Sequence, residues 1–275
     1  MGQIIWLASY PKSGNTWLRA FLHNYLRQPA ESYDINRLAD FTAAENDAAH
    51  YRAYDPRPAS AYSIETVQAL RSQIHRDLTR AFPDLVFVKT HNAALIVAGV
   101  PLLTPAVTAG AIYILRDPRD IALSYSRHLG KPVDETIAFM ADERAAAGGD
   151  DLKVFEQLSS WSGHVRSWLR TPHRHLLTLR YEDMLADPVR SFGNVIRFLG
   201  GAPPPDRLDR AIRLSSFAAL QAQEQRHGFL EKPKSAGAFF YAGTAAQWRT
   251  ALTAEQIARI ERDHGDEMLR AGYLR

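Results

Sequence analysis

The sequence predicts an α/β fold in which a central parallel sheet is flanked by helices. Short, continuous apolar runs at residues 4–8, 85–88, 111–115 and 176–179 have the pattern of strands that are covered on both faces, as in a parallel sheet. Segments with helical periodicity lie between these runs, an alternation that is typical of α/β proteins. The chain has 275 residues, enough for one large core, and we expect a single domain over residues 1–275.

Composition and charge are ordinary for a globular protein and exclude several kinds of site. Hydrophobic residues make up 46% of the chain and charged residues 23%, and the net charge of +3 does not indicate nucleic-acid binding. The absence of cysteine excludes disulfides, thiolate metal sites and a cysteine nucleophile. No basic leader precedes a long apolar segment, and no apolar run approaches the roughly 20 residues of a membrane span. We therefore expect a cytoplasmic protein that does not bind membranes.

The loop between the first strand and the first helix predicts an anion site. A helix is expected over residues 16–27, and its first amides and its dipole favour a bound anion. Lys12 adds a full positive charge to this loop. The other polar side chains of the loop are possible hydrogen-bond donors: Ser13, Asn15 and Thr16. A phosphate or sulfate group is the expected ligand, and the alternative is a tight turn whose lysine is merely solvated.

This loop does not follow the ATP-binding pattern G-x-x-x-x-G-K-[ST], because Lys12 precedes the only glycine, Gly14. The run Tyr-Pro-Lys-Ser-Gly-Asn-Thr-Trp at residues 10–17 resembles instead the 5′-phosphosulfate loop of sulfotransferases that use 3′-phosphoadenosine 5′-phosphosulfate (PAPS). The resemblance implies a P-loop-kinase-like fold. It also implies cofactor contacts from the residues of this loop: Lys12, Ser13, Gly14, Asn15, Thr16 and Trp17.

The second strand ends in Lys89-Thr90-His91, where ligands of open α/β sheets bind. A lone histidine at such a place is more commonly a hydrogen-bonded loop residue than a catalytic one. The triplet, however, resembles the sulfotransferase motif whose histidine is the catalytic base. The resemblance implies that His91 takes the proton of the acceptor, while Lys12 stabilises the leaving phosphate oxygen and Lys89 supports the transition state.

A further motif, Arg-Asp-Pro-Arg-Asp-x-x-x-Ser, follows the third strand. Asp117 and Pro118 suit the N-cap and first position of a helix, which places Arg116 at the strand end and Ser124 on the helix. A forked guanidinium and a hydroxyl together suit a terminal phosphate. The alternative is an arginine that caps carbonyls and a serine in a helix groove. The run resembles the 3′-phosphate motif of the sulfotransferases, which implies cofactor contacts from Arg116 and Ser124.

Two later segments extend the resemblance to the adenine site. Tyr-Glu-Asp begins at Tyr181, after the fourth strand, and in the family this tyrosine lies against the adenine. Ser-Ser-Phe occupies residues 215–217, where the family has Thr/Ser-Ser-Phe in contact with the 3′-phosphate and the base. The resemblance therefore implies that Tyr181, Ser215 and Phe217 bind the cofactor.

The chain departs from the family shortly before Trp248. Many members have Arg-Lys-Gly where this chain has Tyr241-Ala242-Gly243, so the usual arginine and lysine contacts to the 3′-phosphate are missing. Candidates to replace them come from the following basic residues of the preceding loop: Arg226, Lys232 and Lys234. The dimerisation pattern of the family is also degraded from Arg249 onward, so the oligomeric state stays open.

Helical periodicity and capping signals predict the remaining elements. Helices are expected at residues 64–82 before Pro83, 152–169 before Pro172 and 189–199 before Gly200, with a last helix opened by a Thr253–Gln256 capping box. Less regular segments are expected at residues 31–60 (short helical pieces and loops), 131–149 (helical pieces around a flexible Gly148-Gly149 link) and 226–241 (a long loop).

The implied reaction is transfer of a sulfuryl group from PAPS to a hydroxyl or amine of a small-molecule acceptor, leaving adenosine 3′,5′-bisphosphate (PAP), without a metal. An NTP-dependent kinase is one alternative, and it needs a magnesium-binding acid, for which Thr16 with Asp117 is the best pair. A non-catalytic nucleotide-binding module is the other, and His91 argues against it. The acceptor cannot be identified from the sequence, although residues 33–62 and 226–241 are expected to shape its pocket.

Overall fold

The computed structural model describes residues 2–80, 84–170 and 175–274. The strands of these residues are β1 (Gln3–Ser9), β2 (Thr42–Ala44), β3 (Leu85–Thr90), β4 (Ile96–Val97), β5 (Val100–Pro101), β6 (Thr108–Leu115), β7 (Ala146–Ala147), β8 (Glu156–Gln157) and β9 (Leu176–Arg180). Five of them form a parallel sheet in the order β2-β3-β1-β6-β9, and β4-β5 and β7-β8 form small antiparallel hairpins.

Helices connect these strands. They are α1 (Asn15–Arg27), α2 (Ala48–Arg52), α3 (Ile64–Arg80), α4 (Pro118–Leu129), α5 (Val133–Ala141), α6 (Trp161–Arg170), α7 (Tyr181–Ala186), α8 (Pro188–Phe198), α9 (Pro205–Leu214), α10 (Phe217–His227), α11 (Trp248–Ala251) and α12 (Ala254–Arg270). Short 3₁₀ helices lie at Ile35–Asp40, Ala59–Ala61 and Pro105–Val107. Within the described ranges, none of the helices has both the length and the apolar content that crossing a membrane requires.

Alternate side chains of β1 point to opposite faces of the sheet and enter two separate cores. Ile4 and Trp6 pack with α3, α4, α5, α6 and α12 on one face, whereas Ile5 and Leu7 pack with α1, α8 and α9 on the other. Both faces of the sheet are therefore covered, which explains why its strands are continuously apolar. The predicted α/β domain with a central parallel sheet is confirmed.

The helix starts that were predicted from capping residues are also present. Asp117 is the N-cap of α4 and accepts a hydrogen bond from the Arg119 amide, with Pro118 at the first helical position. Thr253 and Gln256 form the complete capping box at the start of α12. The hydrogen bonds made by these capping side chains thus determine the residue at which each helix begins.

The prediction for the segment before α6 is wrong. The long helix expected from Leu152 begins only at Trp161, and Leu152 is 73% exposed. Residues 146–157 form the β7-β8 hairpin instead, because its turn is closed by backbone hydrogen bonds such as Gly149 N–H to the Lys153 carbonyl (2.8 Å). Gly148 and Gly149 are therefore part of an ordered turn, with φ of 79° and 80°, and not a flexible link.

Residues 31–60 contain the edge strand β2, which was not predicted. It pairs with β3 over three residues, Thr-Ala-Ala, that carry no apolar run, so the neighbouring strand rather than local propensity determines its conformation. The predicted helix ends at Pro83 and Pro172 lie outside the described residues.

A buried carboxylate joins β2, α3 and the end of β3. Glu45 is fully buried and accepts hydrogen bonds from Arg71, His75 (3.1 Å), Thr90 (2.8 Å) and Asn92. Burial alone raises the pKa of Glu45, but the Arg71 guanidinium and the bonds from His75 and Thr90 lower it to about 2. Glu45 therefore stays ionised and holds the residues on either side of His91.

Replacing Glu45 should strongly destabilise the fold. Glu45→Ala leaves the buried Arg71 guanidinium without its carboxylate partner and should lower the free energy of unfolding by about 3–5 kcal/mol, measured by urea denaturation. Glu143→Ala is the matched control, because Glu143 is exposed and makes no hydrogen bond or ion pair with the described residues. Equal stability of the two variants would contradict a structural role for Glu45.

Candidate active site

A cavity of about 520 Å³ opens beyond the carboxyl ends of β1, β3, β6 and β9. Ligands of parallel α/β sheets bind at this edge, because the segments that follow the strands meet there. Eleven of the sequence-predicted site residues line the cavity: Lys12, Gly14, Asn15, Thr16, Trp17, Lys89, His91, Arg116, Ser124, Tyr181 and Phe217. Motifs that are far apart in the sequence are thus brought to one place.

Two predicted residues, Ser13 and Ser215, do not line the cavity. Ser13 is 1% exposed, and its hydroxyl has no hydrogen-bond partner among the described residues. Ser215 is fully buried and donates its hydroxyl to the Ala211 carbonyl (2.8 Å), because it ends α9. Ser216, the N-cap of α10, lines the cavity at this point. The structure therefore does not support Ser215 as a contact residue.

The loop after β1 has a tightly constrained backbone. Gly14 has φ of 109°, and a Cβ added there would lie 2.9 Å from the Tyr181 ring. Only glycine fits this position without strain. Asn15, expected as a donor to an anion, uses its side-chain amide to donate to the Leu7 carbonyl (2.8 Å) and so ties α1 to β1.

Lys12 presents a positive charge at the edge of the cavity. Its Nζ lies 3.8 Å from the centre of the Phe239 ring, a cation–π contact. Burial, and secondly the Arg116 charge, lower the pKa of Lys12 to about 8. Lys12 is therefore mostly protonated at neutral pH but loses its proton readily above pH 8.

Arg116 braces the anion loop and also faces the cavity. It donates from Nη1 to the Lys12 carbonyl (2.8 Å), and its guanidinium lies 4.1 Å from the centre of the Tyr181 ring. Its Nε is buried and has no partner within the described chain. Arg116 thus holds the loop against α7 and retains a free donor.

The His91 ring is fixed in one tautomer. Its Nδ1 lies 2.7 Å from the Ser9 carbonyl oxygen, which can only accept, so Nδ1 carries the proton and Nε2 is left as an acceptor. Burial, together with the nearby Lys89 charge, lowers the pKa of His91 well below its usual value. A neutral imidazole with a free Nε2 is the form that a general base requires.

Glu156 supports His91 and Lys89 from β8, and no motif in the sequence indicated this role. It is 3% exposed and accepts hydrogen bonds from the His91 amide (2.6 Å) and the Asn46 side chain (2.7 Å), while Lys89 Nζ lies 3.8 Å away. Burial lowers the pKa of Lys89, and the Glu156 charge partly opposes this shift. Glu156 was missed because it lies in the segment that was predicted to be helical.

The segment before α11 is fixed against α4 and α10. Gly243 has φ of 62°, and a Cβ there would lie 2.3 Å from the Phe217 ring, so the backbone lies directly on that ring. The Asp120 carboxylate accepts hydrogen bonds from the amides of Ala246 (2.7 Å) and Trp248 (3.0 Å). These contacts explain why glycine stands at position 243.

The three basic residues expected to replace the missing Arg-Lys pair do not line the cavity: Arg226, Lys232 and Lys234. Lys232 donates from Nζ to the carbonyls of Ala236 and Gly237 (3.2 Å each) and so closes its own loop. Tyr241 lines the cavity instead. The prediction that this loop supplies a cation to the site is therefore not supported.

Asp117, the acid that the kinase alternative needs, is engaged elsewhere. Its carboxylate caps α4 and pairs with the Arg119 guanidinium (2.7 Å), and it does not line the cavity. Thr16 lines the cavity, but the Asp117 carboxylate does not line it with Thr16. The arrangement does not favour the magnesium site of a kinase.

Residues outside the phosphate-binding motifs also line the cavity. The two segments that were expected to shape the acceptor pocket contribute Asn46 and residues 231 and 239–241 to the cavity lining. The β7-β8 hairpin also contributes, through Asp150 and Lys153 among others, which the sequence did not indicate. The cavity wall therefore carries amide and charged groups as well as aromatic rings.

Comparisons with known proteins agree with these motifs. A family model described as "Sulfotransferase domain" matches residues 3–272. Rat "Sulfotransferase 2A6" is 29% identical over 169 residues, which are 60% of this chain and 58% of that protein. Dog "Sulfotransferase 1A1" is 24% identical, over 95% of this chain and 82% of its own. A structure of retinol dehydratase with androsterone and inactive cofactor PAP shares the fold (TM-score 0.65, 20% identity, 96% of this chain and 80% of that one).

We expect His91 to stay neutral, with its proton on Nδ1, at a pH where ordinary histidines are charged. Long-range ¹H–¹⁵N correlation NMR at pH 6 should show the Nδ1–H tautomer, because the Ser9 carbonyl fixes that proton and burial disfavours the imidazolium. His91→Gln identifies the signal by its loss. A ring that carries its proton on Nε2, or that titrates near pH 6.5, would contradict the described geometry.

Proposed function

The chain belongs to the sulfotransferase family, and we propose that it transfers the sulfuryl group of PAPS to a hydroxyl or amine of a small-molecule acceptor, releasing PAP. The main support is the cavity, where Lys12 in the anion loop and His91 after β3 line one space. A charged donor for a leaving phosphate and a neutral base are thereby available together. Retinol dehydratase, which shares the fold, was crystallised with androsterone and inactive cofactor PAP, and this supports a site for a nucleotide and a second small molecule.

Polar atoms around the anion loop fit a phosphorylated nucleotide. Trp17 Nε1 and Arg116 Nε belong to residues that line the cavity, and both atoms are buried and lack hydrogen-bond partners among the described residues. Buried donors without partners are costly, and the phosphate and sulfate oxygens of bound PAPS would satisfy them. Trp17 and Tyr181, with ring centres 5.9 Å apart, and Phe217 offer aromatic surface for the adenine.

In the proposed reaction the acceptor oxygen or nitrogen attacks the sulfur in line. His91 Nε2 takes the acceptor proton as the new bond to sulfur forms. The bond between sulfur and the 5′-phosphate oxygen breaks, its electron pair stays on that oxygen, and Lys12 stabilises the charge. Lys89, held beside Glu156, supports the negative charge on the sulfuryl oxygens. The protein's contribution is positioning and electrostatics, as in phosphoryl transfer.

Loss of His91 should remove catalysis without removing the cofactor. His91→Ala should lower turnover by roughly two to four orders of magnitude, because a general base acts on the transition state, while PAP affinity stays nearly unchanged. The loss should be larger for an aliphatic alcohol than for a phenol, whose hydroxyl pKa is near about 10. Turnover of labelled PAPS and calorimetry with PAP measure the two effects.

The matched control is His227→Ala, because His227 is exposed at the end of α10 and does not line the cavity. That variant should keep wild-type turnover. If His91→Ala keeps more than about a tenth of wild-type turnover with chemistry rate-limiting, another group takes the proton.

PAP binding should be accompanied by proton uptake near pH 8. The free Lys12 has a pKa of about 8, and a bound phosphate raises it, so affinity should fall as the pH rises above 8. Calorimetry at pH 8 in buffers of different ionisation enthalpy should give an uptake of up to about 0.5 proton. Lys12→Met should abolish this uptake, and unchanged uptake in Lys12→Met would show that Lys12 is not the group.

A further inference from the structure

We propose that Arg127 binds the 3′-phosphate of the nucleotide and so replaces the arginine–lysine pair that is missing before Gly243. This inference rests on the proposed use of PAPS and assigns one contact of that same site. Arg127 lies on α4, three residues after Ser124, and both residues line the cavity. Residues three apart on a helix share a face, so the Ser124 hydroxyl and the Arg127 guanidinium are directed to the same side of α4.

Arg127 is packed against the segment from which the family's basic pair is absent. Its Cζ lies 4.3 Å from the centre of the Tyr241 ring, and Tyr241 stands where many members have the arginine. A cation stacked on an aromatic ring keeps its N–H donors free at the ring's edge. Arg127 thus supplies a positive charge from α4 to the region around Tyr241, and the Tyr241 ring holds the guanidinium in position.

Arg127 makes no salt bridge with a carboxylate among the described residues, and neither does the buried Arg116, whereas the other buried arginines do. Arg19 pairs with Glu231 (2.8 Å), Arg71 with Glu45 and Arg119 with Asp117 (2.7 Å). Arg127 is half-buried and stacks on Tyr241, and its guanidinium makes no hydrogen bond or ion pair within the described residues. A guanidinium that is partly removed from water and unpaired favours an anionic ligand.

The donor set suits a phosphate dianion. A forked guanidinium and a hydroxyl on one helix face, together with the free Nε of Arg116, which directly follows β6 and lines the same cavity, can donate to several oxygens at once. The Lys12 loop is a separate element of the cavity wall and supplies its own donors to the 5′ end. An acidic group on the acceptor is the other possible source of such an anion, and the experiment separates the two.

The experiment compares PAP with 5′-AMP, which differ only in the 3′-phosphate. Affinities are measured for wild type, Arg127→Ala, Arg127→Lys and Arg226→Ala, with PAP by direct calorimetry and AMP by competition against PAP. Arg127→Ala should weaken the affinity for PAP roughly 10- to 100-fold, the scale of hydrogen bonds to a charged group. The affinity for AMP should change less than about 2-fold. Arg127→Lys should fall between, because it keeps the charge and loses the fork.

Arg226→Ala is the matched control, since it removes the same charge from the rival position and should change neither affinity. If Arg127→Ala still prefers PAP over AMP as wild type does, the inference is overturned. An equal loss of affinity for both nucleotides also overturns it, because that result would indicate a structural role for Arg127. Unchanged PAP affinity with a raised KM for an acidic acceptor would assign the guanidinium to the acceptor. If wild type itself does not prefer PAP over AMP, the proposed function fails first.

Discussion

Parallel pairing of β1 with β3 and with β6 is the constraint on which the site depends. Ala8 pairs with Thr90 and Ser9 with Ile114, so the three strands end nearly level with one another. The anion loop, the Lys-Thr-His segment and the start of α4 therefore meet at one edge of the sheet, although they are far apart in the sequence. The hydrogen bond from His91 to the Ser9 carbonyl then joins two strand ends and fixes the imidazole.

Buried charges in this edge fall into two groups with different consequences. Glu45 and Glu156 are paired with cations and amides, and they hold the backbone and the side chains of the site in place. Lys12 and Arg127 contact aromatic rings and have no carboxylate partner among the residues the structure describes. Paired charges hold their elements together, whereas cations that contact a ring and have no salt bridge stay available to an anion. The distribution of carboxylates thus determines which cations can bind a ligand.

Much of the fold and part of the site could be predicted, because the signals are local. Strands covered on both faces leave continuous apolar runs, and caps such as Asp117 and Thr253 mark helix starts through their own side chains. The hairpin that carries Glu156 has no such signal, since its short strands form through pairing rather than propensity. Ser216, and not Ser215, lines the cavity, and Arg127 lies one helical turn beyond the recognised motif. Their positions depend on how α10 and Tyr241 pack, which no local pattern specifies.

The most direct test of the account is transfer of ³⁵S from labelled PAPS to a panel of alcohols, phenols and amines, with PAP measured in the same reactions. The account predicts a labelled acceptor, one PAP for each labelled molecule, and no effect of a metal chelator. It would be contradicted if the label passed only to water, or if product formed only with a nucleoside triphosphate and magnesium.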